Sequence, residues 1–390
     1  MKDKLKNFFK TQIYKNIYNI KPNKNIWIFS STNNEKYNYN SKYLFEYILK
    51  NEKDIKPYFV INDDKLRNKL QEKYGENLFI ETKSKNGIKK VLAGGVWLTS
   101  AGLPLYGFNL KRNRIIINLW HGVPLKKIAL MENNFGKLKK CYFKKIFSKN
   151  YSYILTTSKK LIPIMKESFG VDEKIIKVWG QSRNDCLFKK TEDNKINKLI
   201  SNLPSYDKLI LYAPTYRDNS QTKLFPFDDY NKNELENFLE EKKSIIFIRT
   251  HLDEGMKNIN KYLGKRVILL NENILEDIMV VLNQFHILIT DYSSIYIDFL
   301  LLQRPLIFLP YDKEEYINSR GLNFYYDKFT PGYKPNTMKE LIEYINQIFN
   351  ENDKFEKDRK IINEYFNEID YPCSKKICEN IKNLYLHQIE

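Results

Sequence analysis

Glycine is scarce in this chain, 14 residues among 390, and no GxGxxG or GxxxxGK[ST] spacing occurs. That argues against P-loop ATPase and dinucleotide-dependent dehydrogenase readings, which need a glycine turn under the phosphates. Cysteine is equally rare: Cys141, Cys186, Cys373 and Cys378 stand at unrelated spacings, neither a zinc pattern nor a disulfide scaffold. A reducing cytoplasm fits. No apolar run approaches the roughly 20 residues that span a bilayer, and the first 20 residues lack the apolar stretch and small-residue cleavage site of a signal peptide. Acid is also in short supply: 47 Asp and Glu face 65 Lys and Arg, a net charge of +18. Such a balance draws a protein towards nucleic acid, anionic lipid or phosphorylated substrates without choosing among them.

What is present reads as α/β. Strand-like runs occupy 26–31, 57–61, 95–100, 114–120, 152–157 and 175–180, with helical periodicity between several of them. A second series follows at 208–213, 244–249, 266–270, 286–290 and 305–309. Continuous apolar strands alternating with helices predict a buried parallel sheet, here twice. The division expected is a first Rossmann-like domain over 1–190, a second over 191–365, and a terminal helix over 366–390 packing back across both. The N-terminus alternates Lys with Phe, Ile and Tyr. It reads either as a first helix capping the domain or as a basic amphipathic helix lying on an anionic membrane surface.

In open parallel sheets ligands gather beyond the carboxyl ends of the strands, and polar residues cluster there. They are Asn118-Leu-Trp-His-Gly-Val-Pro-Leu125, Tyr212-Ala-Pro-Thr-Tyr-Arg-Asp218, Arg249-Thr-His251 and Thr290-Asp-Tyr-Ser-Ser-Ile-Tyr-Ile-Asp298 with Leu301–Pro305. Only four histidines exist, and His121 and His251 fall at strand ends in opposite halves. Phosphoryl transfer to an alcohol needs a base at the hydroxyl and positive charge on the leaving phosphates. His121 suits the acceptor side. Arg249 and His251, two apart in an extended segment, point the same way and suit a diphosphate; the competing reading makes each histidine a satisfied core residue. Ser293 or Ser294 would cap the following helix and offer a phosphate its N–H groups, or cap it and nothing more. Asp291 is expected to orient Ser, His251 or a ribose rather than touch phosphate. Thr215 and Arg217 follow the first strand of the second half, with Arg217 equally suited to a salt bridge with Asp218. Asp277, beside Glu276, opens a helix on its residues alone. Arg183, Asn184 and Asp185 mark the domain crossover and suit hinge or catalysis alike. Asp63-Asp64 and Asp228-Asp229 read as helix starts or solvated turns, so no metal site and no cofactor is expected.

Together with Gly180-Gln-Ser-Arg-Asn-Asp185, these motifs resemble the CDP-glycerol:poly(glycerophosphate) glycerophosphotransferases, the teichoic-acid primases and polymerases, from about Ser30 to about Gly332. The resemblance implies a GT-B-like fold, two facing Rossmann-like domains with a C-terminal helical segment and the active site in the interdomain cleft. It implies transfer of glycerol phosphate, or a related polyol phosphate, from CDP-glycerol or a CDP-ribitol-type donor, releasing CMP. The acceptor would be a lipid-linked saccharide or a polyol-phosphate polymer, in teichoic-acid or capsule synthesis at the inner face of the cell membrane. His121 and His251 would be catalytic; Asn40, Trp120 and Gly122 would lie on the acceptor side. Thr215, Arg217, Arg249, Asp277, Asp291, Ser293 and Ser294 would serve the donor, with base and ribose read at Asp277. Two departures stand out: the turn after the first strand carries Tyr39-Asn-Ser-Lys42 without glycine, and Leu252 follows His251 where proline is common. The rivals are a GT-B glycosyltransferase using a nucleotide sugar, and a non-catalytic basic protein binding lipid or nucleic acid. On the main reading nucleic acid is not a partner.

Overall fold

The computed structural model describes residues 2–133, 135–189, 196, 198, 200, 202–217, 222–250 and 259–386. The chain divides into two compact units, one formed by 1–123, 128–185 and 368–390, the other by 124–127 and 186–367.

The first unit is built on seven strands: β1 (Asn23–Ser30), β2 (Lys56–Val60), β3 (Phe79–Ile80), β4 (Gly94–Thr99), β5 (Ile115–Asn118), β6 (Tyr153–Thr156) and β7 (Ile176–Val178). Their order is β3-β2-β1-β4-β5-β6-β7 and every pairing is parallel. Strand alternation divides the apolar residues between two faces. Trp27, Phe29, Val96, Leu98, Ile115 and Ile117 pack on one side with Leu44, Phe45 and Ile48 of helix Tyr39–Asn51. Cys373, Ile377, Cys378 and Ile381 join that same core, so the last helix (Ser374–Leu386) lies on the first unit's sheet. Ile28, Trp97, Ile116 and Ile154 face the other way, against Ile88, Val91 and Leu92 of helix Lys85–Leu92 and Met165 and Phe169 of helix Ile162–Phe169. Each buried large side chain contributes roughly 1.5–3 kcal/mol. Strand β3, only two residues long, has too little pattern to be read from the sequence.

The second unit repeats the logic with β8 (Lys208–Ala213), β9 (Ser244–Ile248), β10 (Val267–Leu269), β11 (Ile287–Thr290) and β12 (Leu306–Phe308), ordered β10-β9-β8-β11-β12 and again all parallel. Ile210, Tyr212, Ile246, Ile248, Ile287 and Ile289 pack on Leu235 and Leu239 of helix Lys232–Glu241 and on Leu341 and Ile345 of helix Met338–Phe349. Residues Pro124–Lys127 belong here by their contacts: Lys126 bridges Leu322, and the Asn323 side chain donates to the carbonyls of Pro124 and Lys126 at 2.7 and 2.9 Å. Both sheets reverse strand order in the Rossmann manner, β1 beside β4 and β8 beside β11, and ligands settle at such switch points.

Helix Lys2–Tyr18 packs through Phe8, whose ring meets Phe108 edge-on at 4.8 Å. Its outer side leaves Phe9, Ile13 and Ile17 exposed at 61%, 54% and 66%. Among the described residues no helix is long and apolar enough to cross a membrane.

Candidate functional site

In the first unit the polar residues beyond β1, β4 and β5 are knitted together. Ser41 Oγ donates to the Ser30 carbonyl at 2.8 Å, and the Ser41 N–H donates to Ser100 Oγ at 2.9 Å. Asn40 is wholly buried and its side chain is the hub. Its Nδ2 donates to the carbonyls of Leu119 and Trp120 at 3.1 and 2.9 Å, and its Oδ1 accepts the Arg183 N–H at 3.1 Å. Asn40 therefore ties β1's turn to β5's turn and to Gln181-Ser-Arg-Asn184. Its amide is committed to that scaffold.

The strand-like run 114–120 stops early, because β5 ends at Asn118. Asn118 Oδ1 then accepts the Trp120 N–H at 2.9 Å, and Trp120 adopts φ +55°. Tyr39 takes φ +58° across the turn. A left-handed backbone costs an L-residue roughly 1–2 kcal/mol, and bulky residues held there cluster at functional sites. Gly122, at φ +151°, lets the chain leave in a direction other residues avoid.

This strained turn presents His121. Its Nδ1 lies 2.8 Å from the Ser100 carbonyl oxygen. A carbonyl only accepts, so Nδ1 carries the proton and Nε2 keeps its lone pair. The Tyr39 ring stacks on the imidazole at 4.9 Å and 26°, and the Trp120 ring lies 3.9 Å away at 38°. Burial lowers the His121 pKa to about 4, the Ser100 carbonyl opposing and Arg183 adding to the fall. The ring is thus neutral at physiological pH, a base with the correct tautomer. Two further polar atoms of the 181–184 turn, Ser182 Oγ and Asn184 Oδ1, are buried with no hydrogen-bond partner among the described residues.

In the second unit the switch point between β8 and β11 centres on Asp291, 2% exposed. Its Oδ1 accepts the N–H of Thr215 at 2.8 Å and that of Tyr292 at 2.6 Å. Asp291 thus holds the Thr215 turn; His251, one of the partners expected for it, lies outside the described residues. Arg217, 4% exposed, places Nη2 2.9 Å from Asp291 Oδ2 and donates from Nε and Nη2 to the two oxygens of Asp312 at 2.7 and 3.0 Å. Its Nη1 donates to the Thr215 carbonyl at 2.6 Å, and its guanidinium lies 4.9–5.2 Å from the rings of Tyr292, Tyr311 and Tyr316. Burial works against the Arg217 charge, yet Asp312 and Asp291 outweigh it and hold the pKa above the usual arginine value. The salt bridge expected with Asp218 involves a residue outside the described ones; the observed partners are Asp291 and Asp312. The outcome of this clamp is a Thr215 whose main chain is fixed from two sides while its buried Oγ1 has no partner among the described residues.

Ser293 and Ser294 are half-buried at the start of helix Ile295–Leu300. Ser293 Oγ accepts the Ile295 N–H at 3.4 Å, whereas the Ser294 side chain makes no capping bond. Arg249 follows β9, and its Nη1 donates to the carbonyls of Leu270 and Leu275 while Nη2 donates to that of Glu276. Burial lowers its pKa. Of its five N–H groups, Nε–H and one on Nη2 make no hydrogen bond among the described residues. Asp277 Oδ1 accepts the Met279 N–H at 3.1 Å at the head of the 3-10 turn Ile278–Val280. His251 lies outside the described residues. Asp185 belongs to neither site: its carboxylate accepts the N–H groups of Cys373 and Ser374, capping the last helix. Asp63 and Asp229 are helix caps as well, accepting from Leu66 and from Met338 and Lys339.

Ser100 and Asp312 were not singled out from the sequence, although Ser100 ends the strand-like run 95–100 and Asp312 stands three residues past 305–309, close to the strand-end positions that marked His121 and Thr215. Among the described residues no group of three or more His, Cys, Asp or Glu is placed to hold a metal ion.

A family model described as CDP-Glycerol:Poly(glycerophosphate) glycerophosphotransferase matches residues 13–383. The teichoic acid poly(glycerol phosphate) polymerase of Bacillus spizizenii is 28% identical over 378 residues, 92% of this chain and 92% of the relative. The polymerase of the same name from Bacillus subtilis is 28% identical over 364 residues, 88% of this chain, which spans about half (47%) of that relative's length. Among solved structures, the wall teichoic acid polymerase TagF, in a crystal soaked with CDPG, superposes with a TM-score of 0.77 at 23% identity, covering 97% of this chain and 95% of that one. That likeness shows the fold, a GT-B-like pair of Rossmann-like units with a C-terminal helical segment.

Proposed function

Because this chain belongs to the CDP-glycerol:poly(glycerophosphate) glycerophosphotransferase family, we propose that it transfers glycerol phosphate from CDP-glycerol to a hydroxyl of a teichoic-acid-type acceptor and releases CMP. The observation that carries this reading is the neutral His121 with Nδ1–H fixed on the Ser100 carbonyl. A histidine so held offers Nε2 as a general base. The acceptor hydroxyl attacks the β-phosphorus, its proton passing to Nε2. The bond from that phosphorus to the oxygen bridging the two phosphates breaks, and CMP leaves with the bonding pair.

The diphosphate needs donors that gain strength as charge moves onto the leaving group. Thr215 Oγ1, the Ser293 and Ser294 hydroxyls and the uncommitted N–H groups of Arg249 supply them, with His251 as a further cation. Arg217 and Asp291 act behind Thr215 by holding its main chain. Asp277 serves the ribose or base. Trp120 and Gly122 shape the turn that carries the base, and Asn40 anchors it.

The acceptor in this reading is lipid-linked or a growing polyol-phosphate chain, met at the inner face of the cell membrane. The exposed Phe9, Ile13 and Ile17, four residues apart on a helix that also carries Lys10 and Lys15, support peripheral attachment. An apolar helix face of this kind lies in the plane of a membrane surface, while Lys10 and Lys15 reach back to the carbonyls of Lys83, Phe108 and Asn109. The test is product analysis: purified protein with a lipid-linked acceptor analogue, given CDP-glycerol, CDP-ribitol or a UDP-sugar in turn. CMP release from CDP-glycerol with an acceptor lengthened by one glycerol phosphate supports the reading. UDP release from a sugar donor would replace it with a glycosyltransferase.

A further inference from the structure

His121 is held by one hydrogen bond, and one hydrogen bond does not fix a ring. The imidazole turns about its Cα–Cβ and Cβ–Cγ bonds, and those two torsions decide where Nε2 points; the Ser100 hydrogen bond restrains the ring at one edge. The Trp120 ring lies close, but Trp120 is the adjacent residue and moves with the same strained turn. Tyr39 comes from elsewhere in the fold, the turn after β1, and its ring stacks nearly parallel on the imidazole at 4.9 Å and 26°.

We propose that Tyr39 is the positioning residue of this site, its ring setting the plane of the His121 imidazole and so the direction in which Nε2 meets the acceptor hydroxyl. The inference rests on His121 being the base. Three observations carry it. The stack restrains the imidazole from its face, where the Ser100 hydrogen bond restrains it only at an edge. The Tyr39 backbone is held at φ +58°, a conformation a bulky residue keeps only where its surroundings over-determine it. Finally, the next residue, Asn40, is bonded to the carbonyls of Leu119 and Trp120, in the two successive peptides that lead into His121. The Tyr39 main chain is therefore locked to the turn that its ring covers. The charged group acting on the imidazole is Arg183, from the 182–186 turn, and its N–H is held by that same Asn40.

The experiment compares Tyr39→Phe, Tyr39→Leu and Tyr39→Gly in the full chain. Imidazole titration is followed by nitrogen-15 NMR, the His121 signal being assigned with His121→Asn, and turnover of CDP-glycerol is measured with donor and acceptor both varied. Tyr39→Phe keeps the ring and is expected to rescue both the His121 titration and kcat to within about twofold. Tyr39→Gly and Tyr39→Leu are expected to lower kcat about ten- to a hundredfold, the cost of a misplaced catalytic group, with CDP binding unchanged. In both, the His121 titration moves up towards the ordinary value near 6.5, because the imidazole gains water. Should Tyr39→Gly fold poorly, Tyr39→Leu, which keeps the bulk without the ring, gives the same comparison. Wild-type titration and kcat in the ringless variants would overturn the proposal, as would a loss in Tyr39→Phe equal to theirs. The titration needs no turnover, so it judges Tyr39 even if His121→Ala proves active and the assignment of the base fails.

Discussion

The Nδ1–H of His121 donates to the carbonyl oxygen of Ser100 at 2.8 Å. The bond joins the ends of β4 and β5 and decides which ring nitrogen is left to take a proton. With burial holding its pKa to about 4, His121 stays neutral well into the acid range. The acid limb of kcat/KM is therefore expected near pH 4, where an unperturbed histidine would place it near 6.5. A pH–rate profile with CDP-glycerol checks this, and an acid limb at 6–7 would show that the free-enzyme base is not this histidine.

The same depression has a stability counterpart. His286 also titrates near 4, lowered by burial and by Lys208 and Arg304, and its Nδ1 accepts the Leu209 N–H at 3.1 Å. In the unfolded chain both imidazoles return to about 6.5. Between 4 and 6.5 the unfolded chain binds more protons, so stability is complete above that window and falls as pH drops through it. His286→Asn, which keeps an acceptor for Leu209, is expected to flatten the slope of the urea midpoint between pH 7 and pH 5. An unchanged slope would contradict the account of His286.

Much of this was readable in the sequence for a simple reason. Strands such as Ile115-Ile-Ile117 and Ile245-Ile-Phe-Ile248 are apolar on both faces, which only a doubly covered parallel sheet explains, and the polar residues after them fall where such sheets bind ligands. The partners of those residues were not readable. Arg217 finds Asp312 95 positions away, and Asn40 finds Arg183 143 away, pairings set by strand order rather than by spacing. The backbone strain at Tyr39 and Trp120 was equally invisible, since neither residue type signals a positive φ.

Thr215→Val removes a buried hydroxyl that has no hydrogen-bond partner among the described residues. Deleting an unmet polar group is close to neutral for folding. Its thermal midpoint is expected to stay within a degree or two of wild type, the scale of a few tenths of a kcal/mol. CDP affinity, in contrast, is expected to fall about ten- to a hundredfold, one hydrogen bond to a charged group being worth about 1.5–3 kcal/mol. Calorimetric titration with CDP measures it, and equal affinity would remove Thr215 from the donor site.

Arg217→Gln is expected to act in the opposite order. It leaves the carboxylates of Asp291 and Asp312 buried without their cation, and breaking a buried pair costs about 3–5 kcal/mol. Stability falls first, measured by urea unfolding, and CDP binding weakens with it because the Thr215 turn loosens. Full stability with selectively lost CDP binding would mean that Arg217 contacts the donor itself.

Replacing Phe9, Ile13 and Ile17 together with serine is expected to release the protein from anionic liposomes while leaving turnover of a soluble acceptor analogue unchanged. Salt should release the wild type in the same way. Retained liposome binding by the triple variant would place the membrane surface elsewhere on the chain.

The central claim is that His121 takes the acceptor's proton in a transfer from CDP-glycerol, and CMP release by wild type and His121→Ala with a lipid-linked acceptor analogue tests it most directly. The account predicts that His121→Ala lowers turnover by about 10²–10⁴, with CDP affinity within about twofold of wild type. Near-wild-type CMP release by His121→Ala, or loss of CDP binding in that variant, would contradict it.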